Sequence, residues 1–362
     1  MSMQEVSAYS LVHATVRALY STMLTPETWE ALMVAQDFDA LLSALSKTVY
    51  GPYLLMERQE LTPRRTVYQI RWHLSDVYEK LIRLTPEPGQ QLLLQLWRLY
   101  EVDNLKATLR GVEAGASWDQ VRHLLHPMTR YITLTAADME KMVRSDDVAR
   151  AIELIRHTPY YETLIHALER YRAEKNLFPL EVALDLDYCR GLWQSINQLV
   201  GIDHKQALRI VGTMLDVDNL LWAIRYRVYH HLSEQEIINY TLPFGYQVRD
   251  RDIRAIAAGA DIVQVVRPIY PAVEGLGRLS EQPEAGLAAI ELSLQRHIVK
   301  TCRVAFIGYP FHVGIPAAYL LLNEHEIRDL TVLIEAKASR LPAEMFASML
   351  ETQIPAYQAE QR

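Results

Sequence analysis

A short run of acidic, amide and basic residues is the first place where this sequence could hold chemistry. Asp103 and Asn104 are followed by Lys106 and Arg110 within two helical turns. A carboxylate beside a base and an amide is a composition found in acid–base sites. On a helix, spacings of three and four residues would bring these side chains together. The run is therefore either a reactive site or a polar face of the framework.

The run recurs in the sequence, which favours a framework role. A second copy contains Asp216-Val217-Asp218-Asn219-Leu220, and a weaker third contains Arg328-Asp329-Leu330. Aligned on Asn104, Asn219 and Asp329, the copies lie 115 (219 − 104) and 110 (329 − 219) residues apart. A catalytic group need occur only once, whereas a repeated pattern fixes how each unit is built or what faces a common axis. The candidate partner-contact or inter-unit residues are Asp103, Asn104, Lys106, Arg110, Asp216, Asp218, Asn219, Arg225, Glu324, Glu326, Arg328 and Asp329.

Three interpretations stay open for Asp103, Asp216 and Asp218. They could lie on a solvated helix face, where pairs four residues apart contribute only a few tenths of a kcal/mol. They could instead form polar contacts between units. The third possibility is a polar surface presented to a partner.

Other landmarks keep the same long period. Thr25 and Thr135 lie 110 apart (135 − 25), and Tyr50, Tyr160 and Tyr270 continue at 110 and 110. Solenoid repeats have periods of about 20–50 residues, so this spacing predicts repeated domains. We expect units at 1–115, 116–232 and 233–362, with a C-terminal helix in the third.

The elements that must position these residues are helices. Apolar residues recur every three or four positions, as in 64–84 and 90–110, and no alternating strand pattern occurs. Thr25 followed by Pro26 predicts a helix start. The fold class is therefore all-α, with three pseudo-symmetric multi-helix units.

Composition and motifs exclude several function classes. The net charge is −7 over 362 residues, which argues against a nucleic-acid-binding role. No phosphate-binding loop is present, so direct nucleotide binding is not expected, and no histidine or cysteine spacing predicts a metal or cofactor site. No secretory signal is expected. The uncharged stretch Val304–Asn323 is interpreted as two buried helices around a turn at Tyr309–Pro316, because its prolines and glycines interrupt a membrane span.

Short motifs spread along most of the chain carry a resemblance to a known family. They are Tyr9, Val16-Arg17-Ala18, Thr48-x-Tyr50, Asp103-Asn104-Leu105-Lys106, Glu181-x-Ala183-Leu184-Asp185-x-x-Tyr188, Asp216-Val217-Asp218-Asn219-Leu220 with Arg225, Pro310-Phe311, Ala318-Tyr319-Leu320 and Glu324-x-Glu326-x-x-Asp329-Leu330. With these residues the chain resembles, nearly end to end, the family of C-type and d-type subunits of archaeal, bacterial and vacuolar-type rotary ATPases. His13, Thr15, Asn323 and Asp329-Leu330-Thr331 depart from residues usual in the family; lysine is usual at position 323. These departures bear on the charge of the third unit.

The resemblance implies a funnel or collar of three helical units at the cytoplasmic face of the membrane. Its partners would be the membrane proteolipid rotor ring and the central shaft subunits, and its role would be to transmit torque without bond chemistry. An alternative is a helical scaffold that binds a partner helix or peptide, with no rotary role. An all-α enzyme is a third possibility, and it requires a convergent carboxylate cluster.

Overall fold

The computed structural model describes residues 3–145, 147–279 and 281–352, and the regular structure in these ranges is entirely helical. The all-α prediction is confirmed. The helices are α1 (Met3–Tyr20), α2 (Pro26–Met33), α3 (Phe38–Leu45), α4 (Pro63–Leu84), α5 (Gly89–Glu113), α6 (Trp118–Val121), α7 (Ala136–Val143), α8 (Val148–Glu153), α9 (Tyr160–Glu174), α10 (Phe178–Gln198), α11 (Gly201–Val228), α12 (Glu234–Asn239), α13 (Asp250–Ala257), α14 (Ile262–Val266), α15 (Pro283–Ala305), α16 (Gly314–Ala338) and α17 (Ala343–Phe346). Short 3-10 turns lie at Gly51–Leu54, Arg58–Glu60, Leu276–Arg278 and Ala347–Met349.

Side-chain caps and prolines set several helix starts. The Thr25 hydroxyl accepts a hydrogen bond from Thr28 N, and Pro26 takes the first helical position, as expected. Thr62 and Pro63 do the same for α4. Helix α15 ends at Ala305 and α16 begins at Gly314, so the turn predicted at Tyr309–Pro316 lies at 306–313, three residues earlier than expected. Proline is tolerated in a first turn because its missing N–H would have no helical partner there.

The six long helices form three consecutive pairs, α4/α5, α10/α11 and α15/α16. Each of these helices contacts the next in the order α4, α5, α10, α11, α15, α16, and α16 in turn contacts α4. The six helices therefore form a closed cycle of contacts, which we call the closed order. Helix α11 also contacts α16. The short helices lie beside this set. The three-unit division and the funnel shape stay predictions, and the C-terminal unit's residues 353–362 lie outside the described ranges.

Helix α16 is covered on nearly all sides. Residues 314–327 are all buried, because α1, α4, α11 and α15 contact this helix from different directions. A helix buried on nearly all faces belongs in a protein interior, and the polar residues buried on α16, such as Asn323, Glu324 and Glu326, need partners there. No helix in the described ranges is both long and apolar enough to cross a membrane.

Candidate functional site

Asn104 and Asn219 hold the loop that follows their own helix. The Asn104 side chain donates to His126 O (3.0 Å) and accepts from His126 N (2.6 Å). Asn219 makes the same two bonds to Leu242 O (3.0 Å) and Leu242 N (2.7 Å). An amide suits this position because it offers one donor and one acceptor to a single backbone residue.

Asp329 occupies the third equivalent position and binds its loop differently. A carboxylate cannot donate, and Asp329 instead accepts from Glu351 N (2.7 Å), Thr352 N (2.9 Å) and Thr352 Oγ1 (2.5 Å). The loop has therefore rotated so that N–H groups, and not a carbonyl, face the side chain. Burial raises the pKa of Asp329, and the bonds to Thr352 and Glu351 oppose this rise.

Three residues before each of these positions lies a buried carboxylate that binds a tyrosine. Glu101 accepts from Thr133 N, Thr133 Oγ1 and Leu134 N, and from Tyr160 OH at 2.5 Å. Its carboxylate oxygens are thus engaged by four donors from the segment that follows α5. We did not predict Glu101 as a site residue, although its spacing from Asp216 and Glu326, 115 (216 − 101) and 110 (326 − 216), could have identified it.

Asp216 repeats this contact with the segment after α11. It accepts from Tyr246 N (2.7 Å), Gln247 N (2.6 Å) and Val248 N (3.1 Å), and Tyr270 OH lies at 3.5 Å. Burial raises the pKa of Asp216 to about 6, against the lowering effect of these backbone bonds. Asp216 is buried, so in this structure it does not lie on a solvated helix face.

Glu326 makes the third contact with a segment from the other end of the chain. It accepts from Leu24 N (2.9 Å) and from Tyr50 OH (2.8 Å). Tyr50, Tyr160 and Tyr270 are the landmarks spaced by 110 residues, and each binds one of the three equivalent carboxylates. We call these the carboxylate–tyrosine contacts.

Asp103, Asp218 and Arg328 are the residues directly before Asn104, Asn219 and Asp329. A cavity of about 240 Å³ between α4, α5 and α16 is lined by Arg71, Asp103, Glu324 and Arg328, among others. The Arg328 guanidinium is half exposed and feels the charges of Glu351, Glu324 and Asp218. Asp218, on α11, does not line this cavity, but its charge acts on Arg328. We call the cavity the central chamber.

Burial and neighbouring charges shift the pKa values of ionisable side chains in and around the central chamber. Burial raises the pKa of Asp218 to about 7, and Arg328 opposes the shift while Asp185, Glu291 and Glu324 add to it. Burial lowers the pKa of His126 to about 3, and Arg71 and Arg328 lower it further. The histidine is therefore neutral beside two guanidinium groups.

Ion pairs join the second helix of one pair to the first helix of the next. Lys106 on α5 binds Asp185 on α10 at 2.7 Å and Asp103 at 3.2 Å. Arg110 makes a two-point contact with Glu181 (2.6 and 2.9 Å). Arg225 on α11 pairs with Glu291 on α15 at 3.2 Å.

At the remaining boundary, between α16 and α4, the contact is a hydrogen bond. Tyr78 OH on α4 donates to Glu324 on α16, and both side chains are buried. The twelve residues predicted as partner-contact or inter-unit residues all lie on α5, α11 or α16. Their contact with a partner stays a prediction.

The chemistry of this arrangement is that of a framework. The carboxylates of Glu101, Asp216 and Asp329 are occupied by backbone N–H groups, and such a group is not poised as a base. Cys189 and Cys302 are buried free thiols. In the described ranges no group of three or more His, Cys, Asp or Glu side chains is arranged to hold a metal ion.

Comparison with known proteins points to one family. Residues 12–349 match the sequence model of the family described as ATP synthase (C/AC39) subunit. This range contains all of the long helices and all three carboxylate–tyrosine contacts.

Curated relatives carry a consistent name. The C subunit of the A-type ATP synthase from Methanocaldococcus jannaschii is 23% identical over 351 residues, covering 96% of this chain and 87% of the relative. The protein of the same name from Archaeoglobus fulgidus is 23% identical over 346 residues, covering 93% and 94%. That from Methanobrevibacter smithii is 26% identical over 268 residues, covering 73% and 68%.

Proposed function

The chain belongs to the family of ATP synthase (C/AC39) subunits, and on this premise we propose that it is the non-catalytic adaptor of a rotary ATP synthase central stalk. In this role it seats the central shaft on the membrane proteolipid ring. It transmits torque between them, so that ATP turnover and proton or sodium transport stay linked. Bond chemistry belongs to other subunits.

The observation that carries this proposal is the closed order of contacts among six long helices. A collar that transmits torque must resist sliding at every boundary between helices. In a closed order each long helix packs against a neighbour on both sides, so no helix is left with only one. Lys106–Asp185, Arg225–Glu291 and Tyr78–Glu324 add polar contacts at the three boundaries between pairs. The central chamber, with Asp103, Glu324 and Arg328 in its wall and the charge of Asp218 acting on Arg328, is our candidate seat for the end of the shaft.

The proposed location is the cytoplasmic face of the membrane, as a peripheral component that touches the proteolipid ring. Such a component needs no cofactor and no bound nucleotide of its own. Of the three equivalent positions, two carry an acid, Asp103 and Asp218, and the third carries a base, Arg328.

Co-purification tests the proposal directly. A tagged chain added to solubilised membranes should retain the proteolipid ring in fixed excess together with the shaft subunits, and the pure chain should not hydrolyse ATP. ATP turnover by the pure chain, or retention of neither partner, would refute the adaptor role.

Charge reversal in the chamber tests the shaft seat. We expect Arg328→Glu to weaken shaft binding at least tenfold, because it places a further acid beside Asp218 and Glu324. Arg251→Glu is the matched control, since its side chain is 85% exposed on α13. Binding affinities measured by calorimetry, with melting curves to check folding and Arg328→Gln as a milder variant, should separate the two. Equal affinities for all variants would remove the chamber from the shaft interface.

A further inference from the structure

The chain closes on itself through contacts between its first segment and its last long helix. Glu326 holds Leu24 N and Tyr50 OH, and Lys337 Nζ donates to Met33 O at 2.7 Å. We call this set the closing junction. At the other two carboxylate–tyrosine contacts the carboxylate and its segment are neighbours along the chain, whereas here 276 residues separate Tyr50 from Glu326.

The carboxylate in the closing junction is held by fewer donors than its equivalents. Glu101 and Asp216 each receive four, whereas within the described ranges Glu326 receives two. One turn earlier, Asn323 is 1% exposed, and its amide lies near the Tyr50 hydroxyl without a well-formed hydrogen bond among described residues. A cavity of about 370 Å³ adjoins Glu326, with Met23, Trp29 and Leu322 in its walls.

The charged and titratable groups around Glu326 do not neutralise it. On α16 itself lie Tyr319 and Asp329, and the Asp329 charge further disfavours ionisation of Glu326. The cation in the cavity wall, Arg303 of α15, donates to Thr352 O. From α1, Tyr20 lines the same cavity, and the ring of His73 on α4 stands edge-on to Tyr50 at 5.1 Å.

These surroundings favour the protonated acid. Burial raises the pKa of Glu326 to about 7, and the bonds from Tyr50 and Leu24 only partly oppose this. A protonated carboxylic acid brings no charge into this pocket, whereas an ionised carboxylate held there by two donors requires water or a cation. The adjoining cavity gives water a route to it.

We propose that the closing junction is a pH-responsive joint: as Glu326 releases its proton to solvent, α16 loosens its hold on residues 24–50, while Glu101 keeps its segment in place. The direction of the pH dependence follows from the linkage between proton binding and stability. A buried acid favoured in its protonated form stabilises the closed junction at low pH, and this contribution is lost as pH rises from about 4.5 to about 7.

Hydrogen exchange of the full chain at pH 6 and pH 8.5 tests the joint. After correction for intrinsic exchange rates, protection of residues 20–33 and 48–54 should fall by on the order of tenfold between the two values. The equivalent segments at 130–143 and 158–164, held by Glu101, provide the internal reference and should fall only as far as the global loss of stability expected from Asp218.

Two variants separate the joint from general unfolding. In Glu326→Gln the neutral amide cannot titrate. In Asn323→Lys an ammonium group one turn away keeps the Glu326 carboxylate paired at both pH values. Each variant should therefore abolish the tenfold fall in protection. Either variant suffices if it retains the helical circular dichroism of the parent. An equal fall in both sets of segments, or a fall that persists in the variants, would overturn the proposal.

Discussion

Asn219 shows how much one buried amide can decide. It is 1% exposed and binds both the N–H and the carbonyl of Leu242. Asp329 makes the equivalent contact only because its loop presents N–H groups in place of a carbonyl. Side chain and loop conformation are therefore matched at each position.

We expect Asn219→Asp to lower the free energy of unfolding by about 1–3 kcal/mol, because the new carboxylate would face Leu242 O with no proton to donate. Urea unfolding at pH 8 measures this change. The control is Asn239→Asp at the exposed end of α12, which should cost less than about 0.5 kcal/mol. Equal costs for the two variants would contradict the matched contact.

Asp218 provides a pH-dependent prediction. Its pKa is raised from 3.8 to about 7, mainly by burial, so the parent protein should lose stability as pH rises through this window. Asp218→Asn removes this loss. The variant should match the parent near pH 4.5 and exceed it at pH 8 by on the order of 1 kcal/mol, allowing for partial solvent access. Urea unfolding across pH should show the divergence; parallel curves would argue against it.

At the scale of elements, the boundaries between helix pairs depend on the burial of their ion pairs. The Lys106 side chain is 14% exposed between Asp103 and Asp185, whereas Arg110 is 61% exposed beside Glu181. Exposed pairs contribute little because water screens them, while a buried acid left without its cation is costly.

Lys106→Met should therefore destabilise the α5–α10 boundary by about 2–3 kcal/mol. The double variant with Asp185→Asn should recover part of this loss, since the uncompensated acid is then removed. Arg110→Ala should cost less than about 1 kcal/mol. Chemical denaturation of the four proteins gives the comparison, and a similar cost for Lys106→Met and Arg110→Ala would contradict it.

Helix type and position followed from local sequence, because caps and apolar periodicity act over a few residues. Thr25, Pro26 and the helix near 64–84 illustrate this. The partners of Asp216 and Glu326 did not follow, since Tyr246 and Leu24 are brought to them by tertiary packing. The repeated tyrosines were visible as landmarks, but no local rule links a tyrosine to an acid 276 positions away.

At the scale of the whole molecule, the first segment packs where a continuation of the last helix pair would be expected. The segments after α5 and α11 supply the donors to Glu101 and Asp216, whereas the donors to Glu326 come from Leu24 and Tyr50. Thr352, which binds Asp329, lies in the wall of the same cavity as Leu24.

A circular permutant should consequently fold. Because Thr352 and Leu24 line one cavity, a Gly/Ser linker from Thr352 to Met3 would need to span roughly the 27 Å length of the 18-residue helix α1. New ends would lie between Glu57 and Arg58, which are both exposed. We expect a melting temperature within a few degrees of the parent. A permutant cut inside α5, between Leu105 and Lys106, is the control and should not fold.

In the proposed adaptor role, the two acids and one base at Asp103, Asp218 and Arg328 would have a mechanical consequence. Three identical seats would let an inserted rod settle in any of three angular settings, each one third of a turn apart. A single basic residue would select one angular setting. A shaft whose charges match Arg328 in that setting would meet an acid at the Arg328-binding position in the other two. A shaft held in this way would turn with its collar at one fixed phase, with no slip between equivalent positions.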